Sequence, residues 1–117
     1  MSDNVRFMFM ETEICSIIET KAKNGHPLSS DETEMLLKEA NRLFPSFKLS
    51  LFSICTMSAQ DFLMCLLIKV SDLSDSRIAV LLGRGRSTIS KAKSKLQRRL
   101  LGKDCTGEEF DKFLKSL

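Results

Sequence analysis

Between Arg84 and Lys103 the chain sets eight lysines and arginines and not one carboxylate. The cations are Arg84, Arg86, Lys91, Lys93, Lys95, Arg98, Arg99 and Lys103, with the small hydroxyls Ser87, Thr88, Ser90 and Ser94 among them. Guanidinium and ammonium groups neutralise phosphate oxygens, and lysine and serine also hydrogen-bond the edges of bases. A charge run on a helix is ordinarily a solvated face. A face without a single acid over twenty residues is the footprint expected for a polyanion. No other chemistry has a comparable constellation. The one histidine, His26, stands in an Asn24-Gly25-His26-Pro27 turn, and Cys15, Cys55, Cys65 and Cys105 form no C-x-x-C pair. Without clustered ligands, a nucleophile-base pair or a phosphate-cradling glycine loop, the expectation is a protein that is not an enzyme and needs no metal or cofactor.

The bulk charge sharpens this. Of 18 basic residues eight fall in the strip, which leaves ten against 15 acids and gives the rest of the chain −5, although the total is +3. An electropositive strip rides on an acidic body. At 117 residues the chain is long enough for one domain with a modest core. No apolar run approaches the ~18 residues of a membrane span, and Val5 to Met10 is too short for the apolar core of a signal peptide. Cysteines inside apolar runs, such as Cys15 and Cys65, suit buried positions in a reducing cytoplasm.

The strip needs a helix to carry it. Ile89, Ala92, Leu96 and Leu100 form a narrow apolar stripe that predicts a helix from about Arg86 to Leu100. Before it, Ser74 to Leu82 puts Ile78, Ala79, Leu81 and Leu82 on one face, and Gly83 supplies a stop in positive φ. Two short helices joined at a glycine turn, the second basic, predict a helix-turn-helix. Upstream, Val5 to Asn24 reads as one long helix on which Phe7, Met10, Ile14 and Ile17 recur at 3-4 spacing. Ser29 and Glu32 form a capping box for a second helix, which Pro45 ends. Phe47, Leu49, Leu51 and Phe52 follow as a short apolar linker, an irregular turn or a brief helix. Ser58 to Asp61 caps the most apolar helix, Phe62 to Ile68, which belongs at the centre of a bundle. Thr106 to Glu109 opens a last helix that docks through Phe110, Phe113, Leu114 and Leu117. The expected fold is all-α, a compact bundle of about six helices, with an N-terminal helical segment over 1–56 and the helix-turn-helix and docking helix over 57–117.

From Ser58 onward the order is a capped apolar helix, a turn, Ile78-Ala79-Val80-Leu81-Leu82-Gly83, Ser87-Thr88-Ile89-Ser90, and a basic helix ending Lys95-Leu96-Gln97-Arg98-Arg99-Leu100. This resembles the LuxR-type DNA-binding domain of bacterial response regulators. More closely, Cys65-Leu66-Leu67-Ile68, Ile78-Ala79, Ser94-Lys95-Leu96, Arg99 to Gly102 and the acidic-aromatic tail Glu109 to Leu114 are similar to the C-terminal domains of large Bacteroidetes transcriptional regulators. Leu43 to Phe47 looks like the segment that precedes that domain, so the resemblance covers most of the chain. It implies double-stranded DNA as partner, transcription regulation in a bacterial cytoplasm, and an input from an upstream sensor domain or a partner protein. Two positions depart from the pattern: Arg77 stands where the family has Glu before Ile-Ala, and Lys95 where it has Arg before the leucine. Lys95 keeps the charge without the bidentate fork.

On such a helix the early and middle exposed positions meet base edges, which assigns Ser87, Ser90, Lys91 and Ser94 to readout. Arg84, Arg86, Thr88, Lys95 and Arg98 are assigned to phosphates. The face of Phe7, Met10, Ile14 and Ile17 is read either as core packing or, because one module reads few base pairs, as the seam of a homodimer. Two alternatives fit parts of the pattern. A sigma-factor region-four module for promoter and polymerase would share the helix-turn-helix, and a helical protein-binding adaptor would leave the basic strip without purpose.

Overall fold

The computed structural model describes residues 3–102 and 106–117, so Lys103 and Cys105 lie outside the described residues. Among these the chain forms α1 (Asp3–Met10), α2 (Glu13–Asn24), α3 (Ser30–Leu43), α4 (Pro45–Ile54), α5 (Ala59–Val70), α6 (Asp75–Leu82), α7 (Arg86–Leu101) and α8 (Gly107–Ser116), with no strand. None of these helices is long and apolar enough to cross a membrane.

The expectation of about six helices is two short, for two local reasons. Thr12 divides the long N-terminal helix: its Oγ1 donates to Phe9 O at 2.6 Å and accepts the Cys15 N–H at 3.3 Å, ending α1 and capping α2. A hydroxyl that bonds nearby backbone competes with a continuous helix. Pro45 makes the second break. It cannot continue α3, but its fixed φ suits the first position of a new helix, so the expected linker forms α4 after a bend at Phe44 (φ −128°, ψ 58°). Phe47 and Leu51, four residues apart, turn inward, while Leu49 is 74% exposed and packs nothing.

The break at Thr12 also separates the expected seam. Phe9 takes the inward position on α1, and Phe7 and Met10 are 61% and 55% exposed. Ile14 is fully buried in the core and Ile17 packs partly against it. The four side chains therefore share no continuous face.

α5 is the central element. Ser58 Oγ accepts the Asp61 N–H at 3.1 Å, and from Phe62 to Val70 nine successive residues are buried. Such a helix has to be surrounded, and α6 and α8 pack on it. α6 also packs against α2, and the Leu28 N–H donates to Leu81 O at 2.9 Å, so one core runs across the 1–56 and 57–117 segments.

Two lysines join the C-terminal ends of α5 and α8. Lys69, 2% exposed, donates to Leu114 O and Lys115 O at 3.4 and 3.3 Å, and its Nζ lies 5.3 and 4.9 Å from the Phe44 and Phe47 rings. In return Lys115 Nζ donates to Ile68 O at 2.7 Å. Each helix supplies a cation to the carbonyl-rich end of the other, where the helix dipole favours it.

Burial, and after it the charge of Lys115, lowers the Lys69 pKa from 10.5 to about 8. Between those values the unfolded chain binds more proton at this residue than the folded protein does, so its contribution to stability rises with pH. The buried Cys65 thiol, pushed up to about 12 by burial, acts in the opposite sense above its ordinary value of 9. The quantity that isolates Lys69 is thus the stability of wild type minus that of Lys69→Met. In denaturant melts this difference should grow by about 1–2 kcal/mol between pH 7 and 9.5. A difference independent of pH would refute the lowered pKa.

Candidate nucleic-acid interface

α6 and α7 meet through a short turn whose backbone is fully specified. Ser74 Oγ caps α6 by accepting the Arg77 N–H at 3.3 Å. At the other end Gly83 lies in the left-handed region (φ 65°, ψ 34°), its N–H donates to Val80 O, and the Arg84 N–H reaches back to Ala79 O. This is a Schellman closure, and an L side chain at Gly83 would be strained. Gly85 precedes α7 without a side-chain cap, and the first turn of α7 carries Arg86 and no acid. Its leading N–H groups and the dipole's positive end are left for solvent or an external anion.

α7 is held by one edge. Ile89, Lys93, Leu96 and Leu100 are buried, at i, i+4, i+7 and i+11, and Ala92 is only partly covered. The expected stripe therefore runs through a lysine. Lys93 Nζ lies 3.0 Å from Asp75 Oδ1 at the start of α6 and 3.0 Å from Asp111 Oδ1 on α8. The Asp75 contact is a hydrogen bond; the Asp111 oxygen has ion-pair distance without hydrogen-bond geometry. Burial opposes the charge of Lys93, but the pairing with Asp111 and Asp75 outweighs it and raises the pKa. One ammonium thus pins three helices, and it is withdrawn from the surface strip.

The opposite face of α7 is open. Ser87, Ser90, Lys91 and Ser94, at i, i+3, i+4 and i+7, are all exposed, as are Arg84, Arg86, Thr88, Lys95 and Arg98. Ser90, Lys91, Ser94, Lys95, Arg98 and Arg99 line one shallow groove along the helix. At ~1.5 Å per residue the sixteen residues of α7 span about 24 Å. Among the described residues Arg84, Arg86, Lys91, Lys95 and Arg99 have no ion-pair partner, whereas on the acidic body Lys21 pairs with Glu32 and Arg42 with Glu39. Arg77, the departure at α6, is exposed.

All nine expected contact residues are therefore exposed, five of them in that groove, and of the strip's seven cations among the described residues six are exposed. Sequence reasoning missed Lys93 and Lys69 as internal cations. A signal existed for Lys93: the 4-3-4 spacing of 89, 93, 96 and 100 is a better helical stripe than one through Ala92. Nothing local marked its acid partners. No protein family, curated protein or solved structure matches this chain.

Two lysines two residues apart on α7 should behave differently in urea melts. Lys93→Ala leaves two carboxylates facing each other across helix ends. It should cost about 2 kcal/mol, below the ~3–5 kcal/mol of a fully buried pair because both acids are over a third exposed. Lys91→Ala should stay within about 0.5 kcal/mol of wild type.

Proposed function

We propose that α6 and α7 act as a helix-turn-helix that binds double-stranded DNA, with α7 in the major groove, in bacterial transcription regulation. The observation that carries this reading is the acid-free outer face of α7, five exposed cations beside a stripe of small hydroxyls, with Arg84 exposed in the turn before it. The inner face supports it too, because Lys93 and the apolar stripe hold α7 from below while Lys91, Lys95 and the small hydroxyls stay exposed. On this reading Ser87, Ser90, Lys91 and Ser94 meet base edges, Lys91 donating to guanine O6 and N7. Arg84, Arg86, Thr88, Lys95 and Arg98 meet phosphates, and the uncapped start of α7 adds backbone donors. The resemblance to LuxR-type and Bacteroidetes regulator domains points the same way.

Duplex binding measured by anisotropy across a salt series tests the reading. If four to six phosphates are neutralised, log K should fall against log salt with a slope of about −4 to −5. Lys91→Glu/Lys95→Glu should flatten the slope and abolish binding, since both side chains are exposed and neither supports the fold. Singly, Lys91→Ala should alter the preferred site in a selection experiment, and Lys95→Ala should weaken all duplexes about equally. Weak binding with no salt dependence would overturn the proposal.

We further propose that two copies pair through the outer side of α1, where Phe7, Met8 and Met10 are 61%, 47% and 55% exposed. Ile14 has no part in this pairing, since the core already buries it. Light scattering should give twice the chain mass for wild type and the monomer mass for Phe7→Ser/Met10→Ser. A monomeric wild type at high concentration would remove the pairing and leave DNA binding to a single module.

A further inference from the structure

A second concavity lies on the acidic body, among α3, α4 and α5, and none of its lining residues belongs to α6, α7 or α8. We propose that this cleft binds a single-chain amphiphile with an anionic head. Its volume of about 630 Å³ falls in the range of small-molecule sites. Phe44, Phe47, Phe52 and Phe62 form its walls, half of the eight phenylalanines in the chain, with Leu63 and Leu66 beneath them. Phe47 and Phe52 each stand 5.9 Å, centroid to centroid, from Phe62, so these three rings form one continuous aromatic surface.

The charged groups of the cleft are all positive. Lys38, Lys48 and Asn41 contribute to its lining, and no carboxylate does. Lys48 Nζ lies 5.7 Å from both the Phe52 and Phe62 rings, which holds a positive charge over the apolar wall. Among the described residues neither Lys38 nor Lys48 has an ion-pair partner, although they belong to the part of the chain that is rich in acids. Apolar walls beneath unpaired cations complement an alkyl tail ending in a carboxylate or phosphate, the head lying against Lys48 and Lys38 and accepting from Asn41. A neutral or cationic head leaves both ammonium groups without a counter-charge.

Decanoate below its micellar concentration is the probe, compared with decanol and decyltrimethylammonium by calorimetry and methyl NMR. Decanoate should bind one to one and shift the Leu63 and Leu66 methyl signals. Its affinity should fall about tenfold in Lys38→Gln/Lys48→Gln. Ala59→Trp, a substitution at an exposed rim position, should abolish binding without changing the melting temperature. Equal affinity for the three amphiphiles, unchanged in the lysine variant, would mean unspecific adsorption and overturn the proposal. So would silence toward decanoate beside saturable binding of an acidic amphipathic helical peptide, which would make the cleft a protein contact. Either result is independent of whether α7 binds DNA.

Discussion

Nine consecutive buried residues on α5 impose the arrangement of everything else. A helix with no solvent-facing side has to be covered all round, and each covering helix must give up one apolar edge to do so. α6 and α8 cover α5 directly, and α7 packs on α6. Because α7 stands one layer out from the centre, a single stripe suffices to hold it, and the remainder of its circumference is available to a partner. The exposure of the basic face is thus a consequence of where the central helix sits.

The second constraint is what becomes of positive charge. Lys69 and Lys93 are both inside, and the fold treats them differently. Lys93 is given two carboxylates, which favours the charged form. Lys69 is given carbonyl oxygens and aromatic faces but no carboxylate, so burial prevails and its pKa falls. Lys91, two residues from Lys93, points the other way and has no partner among the described residues. The angular step of the helix, about 100° per residue, separates a buried, paired lysine from an exposed one on the same helix.

A protein of this design has two surfaces of opposite character. The α7 face is cationic and shallow, lined by serines, lysines and arginines and by no carboxylate. The α3–α4–α5 cleft is an open concavity with aromatic walls and two exposed lysines in its lining. The cleft depends on the bend at Phe44, since Pro45 starts α4 and sets Phe47 and Phe52 opposite Phe62. The α2–α3 turn links the two halves by donating the Leu28 N–H to the end of α6.

Much of this was legible in the residues alone. Hydroxyl caps at Ser29, Ser58, Ser74 and Thr106, the glycines at Gly25 and Gly83, and the apolar run of α5 are local signals, and the chain obeys each of them. The acid-free strip and its exposed stripe were legible too, because helical periodicity converts spacing into a face. The break at Thr12 left no such mark, since a threonine is found within helices as well as at their ends. After Pro45 the residues leave an irregular turn and a brief helix equally open; the chain takes the helix, with Phe47 and Leu51 inward. The burial of Ile14 in the core and the acid partners of Lys93 were decided by tertiary structure alone. Burial depends on what stands opposite a side chain, and Lys93 meets Asp75 and Asp111 at sequence separations of eighteen, where no local pattern reaches.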